Sequence, residues 1–367
     1  MQISISDPIL QTKIFILGFL FITLVTLRKD INRHEMLISH TNELKGVAIL
    51  LVLFGHVGYF LSSDNRFLFP LSIGAGVGVN IFLFLSGFGI TVSMLNKKLS
   101  PWAFYKKRLP QIFIPMWLVL TVILVMDLIL FQKWHPNSLL LKNYLGFYPR
   151  ADIFIDINSP LWYFTWILFY YLVYPWIFVK KYPSVSALTL FLITTVLLSF
   201  KLPVVFDVQK LYILHTLAFP FGMIFATFLH LKPLSEIRAN FYFLRESHKK
   251  IIYILRYVLM AVLSYAIYYT AINSGIGQNL KIEQIMSMIT TLSFVALFLL
   301  KRYKSEFLVL LGIYSYEIYL IQWPLMYRYD FIYKHVPAGI ATLVYLFVLI
   351  LIGIIFNRIV KKISLHK

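Results

Sequence analysis

A lysine and a histidine interrupt the apolar segment LKGVAILLVLFGHVGYF, which covers residues 44–60. Lys45 and His56 are eleven residues apart, and in an α-helix this separation turns the chain about 20° beyond three full turns. Both side chains are therefore predicted to lie on one helix face, about 16 Å apart along the axis. Burial disfavours a charged imidazole, so His56 is expected to be neutral and able to accept a proton from a hydroxyl group.

Each of the two residues also has a simpler explanation. A lysine near a helix end often extends its ammonium group to the lipid headgroups, and a lone histidine can be a hydrogen-bonded packing group. An ionisable group inside a membrane span is costly, however, and usually lines a cavity or a pathway. The pair is therefore a candidate site, and the rest of the chain must position it.

The composition indicates a membrane protein. Of the 367 residues, 60% are hydrophobic and the mean hydropathy is +0.78, whereas a soluble domain is about 45–50% apolar. A transmembrane helix needs about 20 apolar residues, and eleven stretches approach this length. They are 11–27, 43–62, 69–95, 109–131, 161–179, 184–200, 210–230, 251–272, 284–300, 307–327 and 337–358. The predicted fold is an all-α, polytopic transmembrane bundle of about eleven spans.

The basic residues predict the orientation of these spans. Alternate loops together with the C-terminal end carry 22 lysines and arginines, against 10 for the other loops and the N-terminal end. Basic loops face the cytoplasm, so the C-terminus is expected inside and the N-terminus outside a cell (plasma) membrane. The formal charge of +19 is then explained without a nucleic-acid partner. LRKDINRHE follows the first span instead of a small-residue cleavage site, which favours an uncleaved helix.

Several kinds of chemistry are not expected. The chain has no cysteine, which excludes a thiolate nucleophile and a disulfide framework. No two histidines have the H-x-x-x-H spacing of a zinc helix, so we expect no metal. Asp127, near the outer end of a span, is expected to be interfacial, and His135, in the outer loop, is expected to be solvated.

The segment NELKGVAILLVLFGH, residues 42–56, resembles the first-helix signature of the acyltransferase-3 family of membrane proteins. Both have an acidic residue, a basic residue two places later and a histidine after ten more residues. Five later segments resemble further family motifs in the same order. They are GVGVNIFLFLSGFGIT (76–91), FYKKRLPQIFIP (104–115), NSPLWYF (158–164), FPFGM (219–223) and LGIYSYEIYLIQWPL (311–325). The resemblance implies ten family-type helices within residues 42–367, preceded by an extra transmembrane helix and a cytoplasmic loop in residues 1–41.

The resemblance implies an O-acyltransferase that moves an acyl group, commonly acetyl, from cytoplasmic acyl-CoA to a hydroxyl of an extracytoplasmic or lipid-linked glycan. Acyl-CoA would be the donor substrate, with no permanently bound cofactor. By the predicted topology, Lys45, Lys107 and Arg108 lie at the cytoplasmic mouth, where cations suit the phosphates of CoA. His56 would deprotonate the acceptor hydroxyl at the far end of the pantetheine arm.

Two further residues are candidates. Glu317 lies about ten residues into its predicted span; it could orient His56, compensate a cation or lock two helices together. Trp162, near the predicted outer mouth, could stack on a sugar of the acceptor. The chain also departs from the usual family pattern, with Gln111 and His215 at positions that are often arginine and Gln322 at one that is often histidine. Because no soluble domain is appended, a separate extracytoplasmic partner could complete the transfer.

Two alternatives remain open. A polytopic transporter or exporter of a polysaccharide intermediate would predict internal repeats and several intramembrane charges, and the sequence shows few such charges. A non-catalytic subunit of a polysaccharide assembly machine would explain Gln111 and Gln322, whereas the presence of His56 argues against it.

Overall fold

The computed structural model describes residues 2–29, 36–97, 99–153, 155–200, 202–231, 249–275 and 279–365. Helices form almost all of this part of the chain. They are α1 (Pro8–Val25), α2 (Met36–Gly55), α3 (Ala75–Asn96), α4 (Pro101–Phe131), α5 (Asn137–Tyr144), α6 (Trp162–Ile177), α7 (Pro183–Ser199), α8 (Gln209–Leu214), α9 (Ala218–Leu231), α10 (Lys249–Ile272), α11 (Leu280–Leu300), α12 (Glu306–Ile313), α13 (Ser315–Tyr327) and α14 (Ala338–Leu365). Two short strands, β1 (Leu27–Lys29) and β2 (Tyr303–Ser305), pair in antiparallel orientation.

The all-α membrane bundle is confirmed, but the number of spans is not. In the described ranges, eight helices are long and apolar enough to cross a membrane, or nine if α12 and α13 count as one span bent by 77°. Helices also coincide with the other two predicted spans, but α6 has 16 residues and α7 has 17. Both are shorter than the roughly 20 residues that span a hydrocarbon core, so the count of eleven stays a prediction.

Helix α2, which carries Lys45, packs directly against α12. A methyl group added at Gly46 would lie 2.1 Å from the carbonyl oxygen of Leu308, and one at Gly312 would lie 1.7 Å from that of Asn42. Both distances are shorter than a carbon–oxygen contact permits, so the two backbones touch where only glycine fits. The added helix α1 packs along α14 at the edge of the bundle.

Both ends of the bundle are fixed by buried charges. At one end, the Glu43 carboxylate accepts hydrogen bonds from Lys301 Nζ at 2.5 Å and from the backbone N–H of Ser305 at 2.7 Å. This carboxylate ties the start of α2 to β2. Because its side chain is almost fully buried, it needs these partners to offset the loss of solvation.

At the opposite end, the expectation of a solvated His135 is wrong, because this residue pairs with Asp127 inside the protein. Both are buried, and His135 Nε2 lies 2.7 Å from Asp127 Oδ2. Arg328 Nη1 donates to the same carboxylate oxygen at 2.5 Å, and Arg328 Nη2 donates to the backbone carbonyl of Ile157 at 3.1 Å. This cluster was not predicted, because Arg328 is about 200 residues from Asp127 in the sequence. Its effect is to hold the segment that precedes α6 against the bundle.

Candidate active site

His56 lies at the end of α2, where the helix changes geometry. The α-helix ends at Gly55, and residues His56–Leu61 form one π-helical turn. Such turns are uncommon and frequently occur at functional sites. The edge of the imidazole meets the Trp323 ring at 5.0 Å between centroids, with 76° between the planes. Contact with the indole therefore fixes the ring on one side.

His56 lines a cavity of about 280 Å³, the histidine chamber. Its wall is mainly apolar and aromatic, with few polar groups. The lining includes His56, Tyr59, Pro160, Trp162, Tyr163, His215, Glu283, Tyr319 and Trp323. A concave, mostly apolar cavity with few converging polar groups is the usual form of a small-molecule site.

Gln322 is the residue that hydrogen-bonds the His56 imidazole. Its side chain is fully buried on α13, with Oε1 3.0 Å and Nε2 2.8 Å from His56 Nδ1. With the amide oxygen toward the ring, Nδ1–H donates to Gln322 and His56 Nε2 keeps the lone pair that a general base needs. With the amide reversed, Nε2 carries the hydrogen instead. Gln322 therefore controls the tautomer of His56.

Glu317 takes the helix-locking role, one of the three that the sequence left open for it. Its Oε1 accepts a hydrogen bond from Asn357 Nδ2 at 2.7 Å, which links α13 to α14. The residue that contacts His56 was noted in the sequence only as a departure from the family pattern. A glutamine in a motif that often has histidine was the one available signal for it.

A second histidine lines the same chamber. His215 is buried between α8 and α9, and its Nδ1 donates to Asn80 Oδ1 at 2.7 Å. Asn80 Nδ2 in turn donates to Ser287 Oγ at 3.0 Å. This chain places the hydrogen of His215 on Nδ1 and leaves the Nε2 lone pair unused by any described residue. Trp162, the candidate for stacking on a sugar, stacks on this imidazole with 5.6 Å between centroids and 18° between planes. One of the two faces of the Trp162 ring is therefore already occupied.

The candidate cations line a different cavity. Lys45 and Arg108 both border a second space of about 390 Å³, the cationic pocket, together with Ser86, Gly89, Gln111, Tyr171 and Tyr316. Neither cation forms an ion pair with a residue that the structure describes. Lys107 is exposed and lies outside the pocket wall, so the structure separates it from the two cations with which the sequence grouped it. Two unpaired, partly buried cations form a favourable site for an anion.

The histidine chamber and the cationic pocket adjoin. Tyr163 and Tyr319 line both cavities, and their rings meet edge to face at 5.6 Å and 78°. Lys45 and His56 belong to one continuous helical stretch, so the cations and the imidazole lie about 16 Å apart along its axis. The site therefore has a cationic end, a tyrosine pair and a histidine end, in this order.

A comparison with protein families matches the chain to an acyltransferase domain over residues 42–358. Searches of curated proteins and of solved structures found no match. The matched segment begins within α2, three residues before Lys45, and includes both cavities. Since the match covers most of the chain and agrees with the motif resemblance, the chain belongs to the acyltransferase-3 family.

Proposed function

We propose that this acyltransferase transfers an acyl group, most simply acetyl, from cytoplasmic acyl-CoA to a hydroxyl group of an extracytoplasmic or lipid-linked glycan at the plasma membrane. The observation that carries the proposal is the pair of adjoining cavities. One presents Lys45 and Arg108, and the other presents His56. A thioester donor that is anionic at one end and reactive at the other matches this arrangement.

The cationic pocket would hold the phosphates of CoA. Arg108 offers a planar fork of donors that suits phosphate oxygens, and Lys45 adds a compact charge. By the charge distribution of the loops, both residues lie near the cytoplasmic face. Gly89 faces open space, because a methyl group built there would meet nothing within 4 Å. A thin pantetheine arm could pass beside its backbone.

The chemical step uses His56 as the general base. As the acceptor oxygen attacks the thioester carbonyl carbon, His56 Nε2 takes the hydroxyl proton and a tetrahedral intermediate forms. Collapse of the intermediate breaks the carbon–sulfur bond and leaves the acyl group on the acceptor oxygen. The departing thiolate receives the proton from the imidazolium, which restores neutral His56. Gln322 keeps the required tautomer by accepting from Nδ1–H.

The histidine chamber would bind the acceptor. Trp323 and Tyr59 present aromatic surface beside His56, and the Glu283 carboxylate offers acceptor oxygens at the chamber wall. Aromatic faces and hydrogen-bonding groups together suit a polyhydroxylated ligand such as a sugar. His215 Nε2 adds a second lone pair. A separate extracytoplasmic partner that receives or delivers the glycan remains part of this proposal.

The proposal is tested with inside-out membrane vesicles, which expose the cytoplasmic face and contain native acceptors. Vesicles with the parent protein should consume acetyl-CoA that is labelled in its acetyl group and transfer the label to a glycan or lipid-linked fraction. His56→Ala should lower this turnover roughly 10²–10⁴-fold, the range for loss of a general base. His335→Ala, at an exposed histidine outside both cavities, should match the parent. Equal transfer by His56→Ala, or no acyl turnover by the parent, would contradict the proposal.

A further inference from the structure

The two cavities share aromatic residues in their walls. Tyr163 on α6 and Tyr319 on α13 border both spaces, and their edge-to-face contact lies where the spaces adjoin. Phe82, which lines the cationic pocket, lies 6.4 Å from the Tyr163 ring. A donor with its phosphates beside Lys45 and Arg108 would extend its acyl end past these rings to reach His56.

The two tyrosines are held differently. The Tyr319 hydroxyl donates to the backbone carbonyl of Pro160, which itself lines the histidine chamber. This side chain is buried and anchored at its tip. The Tyr163 hydroxyl makes no hydrogen bond to a described residue, and its side chain is only partly buried. Tyr163 is therefore the ring that can rotate without breaking a hydrogen bond.

We propose that the Tyr163–Tyr319 pair is the constriction through which the acyl end of the donor reaches His56, and that its width limits the length of the acyl group that is transferred. The inference rests on the proposed function, because it assumes that the donor binds with its phosphates in the cationic pocket. An apolar wall discriminates by size. In such a site one methylene group changes kcat/KM by roughly 10–200-fold. Removing a ring should relax the limit on acyl length.

The test compares octanoyl-CoA with acetyl-CoA in inside-out vesicles, with free CoA measured by chromatography. Vesicles carrying His56→Ala provide the blank for other thioesterases. For Tyr163→Ala and for Tyr319→Ala, the ratio of kcat/KM for octanoyl-CoA to that for acetyl-CoA should rise at least ~10-fold above the parent ratio. Tyr163→Phe and Tyr319→Phe keep the rings and should stay within about twofold.

A matched control separates the constriction from the rest of the pocket wall. Tyr316 lines the cationic pocket but not the histidine chamber, and its hydroxyl donates to the carbonyl of Ile112 at 2.6 Å. Tyr316→Ala should affect the two donors equally and leave the ratio unchanged. An unchanged ratio in both constriction variants, or an equal rise in the Phe variants or in Tyr316→Ala, would overturn the proposal.

A second measurement keeps the test decisive if the alanine variants fail to fold. Because the chain has no cysteine, Tyr163→Cys gives a single thiol that can be modified after folding. Benzyl methanethiosulfonate should stop turnover of both thioesters, and dithiothreitol should restore it. Methyl methanethiosulfonate, which adds only a small group, should leave the turnover of acetyl-CoA intact. Full benzyl labelling with unchanged turnover overturns the constriction, and so does a thiol that cannot be labelled. A parent that releases no CoA from either donor refutes the proposed function itself.

Discussion

Lys107 and Arg108 are adjacent in sequence but are expected to differ in their effect on acyl-CoA binding. Arg108 lines the cationic pocket beside Lys45, whereas Lys107 is exposed and lies outside the wall. A charge-assisted contact with phosphate contributes about 1.5–3 kcal/mol. Since ~1.4 kcal/mol is a tenfold change in affinity, Arg108→Ala should weaken acyl-CoA binding roughly 10–100-fold. Lys45→Ala should have a similar effect, and Lys45→Arg should retain most affinity because it keeps the charge.

Lys107→Ala removes the same charge from the same helix and is the matched control. An exposed cation in high dielectric contributes about 0.2–1 kcal/mol to a charge pair, so its loss should weaken binding less than ~5-fold.

The assay is equilibrium binding of a non-hydrolysable acetyl-CoA analogue to purified protein, at low and at high salt. Turnover at saturating donor should change little in all three alanine variants, because these contacts act in the ground state and in the transition state alike. Addition of salt should reduce the small Lys107 effect, since exposed charges are screened more than buried ones. If Lys107→Ala weakens binding as much as Arg108→Ala, the pocket does not bind the phosphates and the reasoning fails.

Two glycines, Gln322 and the orientation of the chain provide further tests. Gly89→Leu should fill open space and weaken donor binding at least ~10-fold with an unchanged melting temperature. Gly87→Ala places a methyl 2.2 Å from a backbone oxygen of α9 and should instead cost about 1–3 kcal/mol of stability. A lower melting temperature for Gly89→Leu together with an unchanged one for Gly87→Ala would contradict the open space at Gly89 and the close contact at Gly87. Gln322→Leu leaves the buried His56 Nδ1 without this partner, at a cost of about 1–3 kcal/mol. It should lower kcat at least ~10-fold while KM for acyl-CoA stays constant, and an undiminished kcat would exclude the control of the His56 tautomer by Gln322. A C-terminal reporter should be active in the cytoplasm and one near residue 140 should report from outside, and a reversed result would overturn the orientation.

The sequence allowed the helices to be predicted because long apolar runs have one stable form in a bilayer. It also placed the acyltransferase motifs in the correct family. The sequence did not allow the pairing of side chains across helices to be predicted. Gln322 and His56 are 266 residues apart, and Glu317 pairs with Asn357 instead. Helical periodicity shows which side of a helix is apolar but not which helix that side meets.

Local departures from ideal helical geometry could not be predicted from the sequence either. The π-helical turn that begins at His56 follows Gly55, and the 77° bend between α12 and α13 follows Gly312. A glycine permits such a departure from an ideal helix but does not specify its form. Lys107 and Arg108 could not be told apart, because neighbouring residues on a helix point about 100° apart and only the packing decides which one faces a cavity. In each of these cases the missing information was tertiary.

The proposed constriction between the two cavities has a physical reason if the protein works across a membrane. An open path lined by Lys45 and Arg108 at one end and His56 at the other would carry water, and with it protons and ions, between two compartments. In the proposed constriction, the edge-to-face tyrosine rings would close that path with apolar surface and would need only a ring rotation to admit a narrow acyl-pantetheine arm. The Tyr163 hydroxyl bonds to no described residue, whereas the Tyr319 hydroxyl donates to Pro160, so the two rings would have different roles. The Tyr163 ring can rotate, while the Tyr319 ring stays in place. On this reasoning, replacing both tyrosines with alanine should raise the proton leak of proteoliposomes as well as widen the range of acyl donors. A tight membrane in the double variant would show that the seal lies elsewhere.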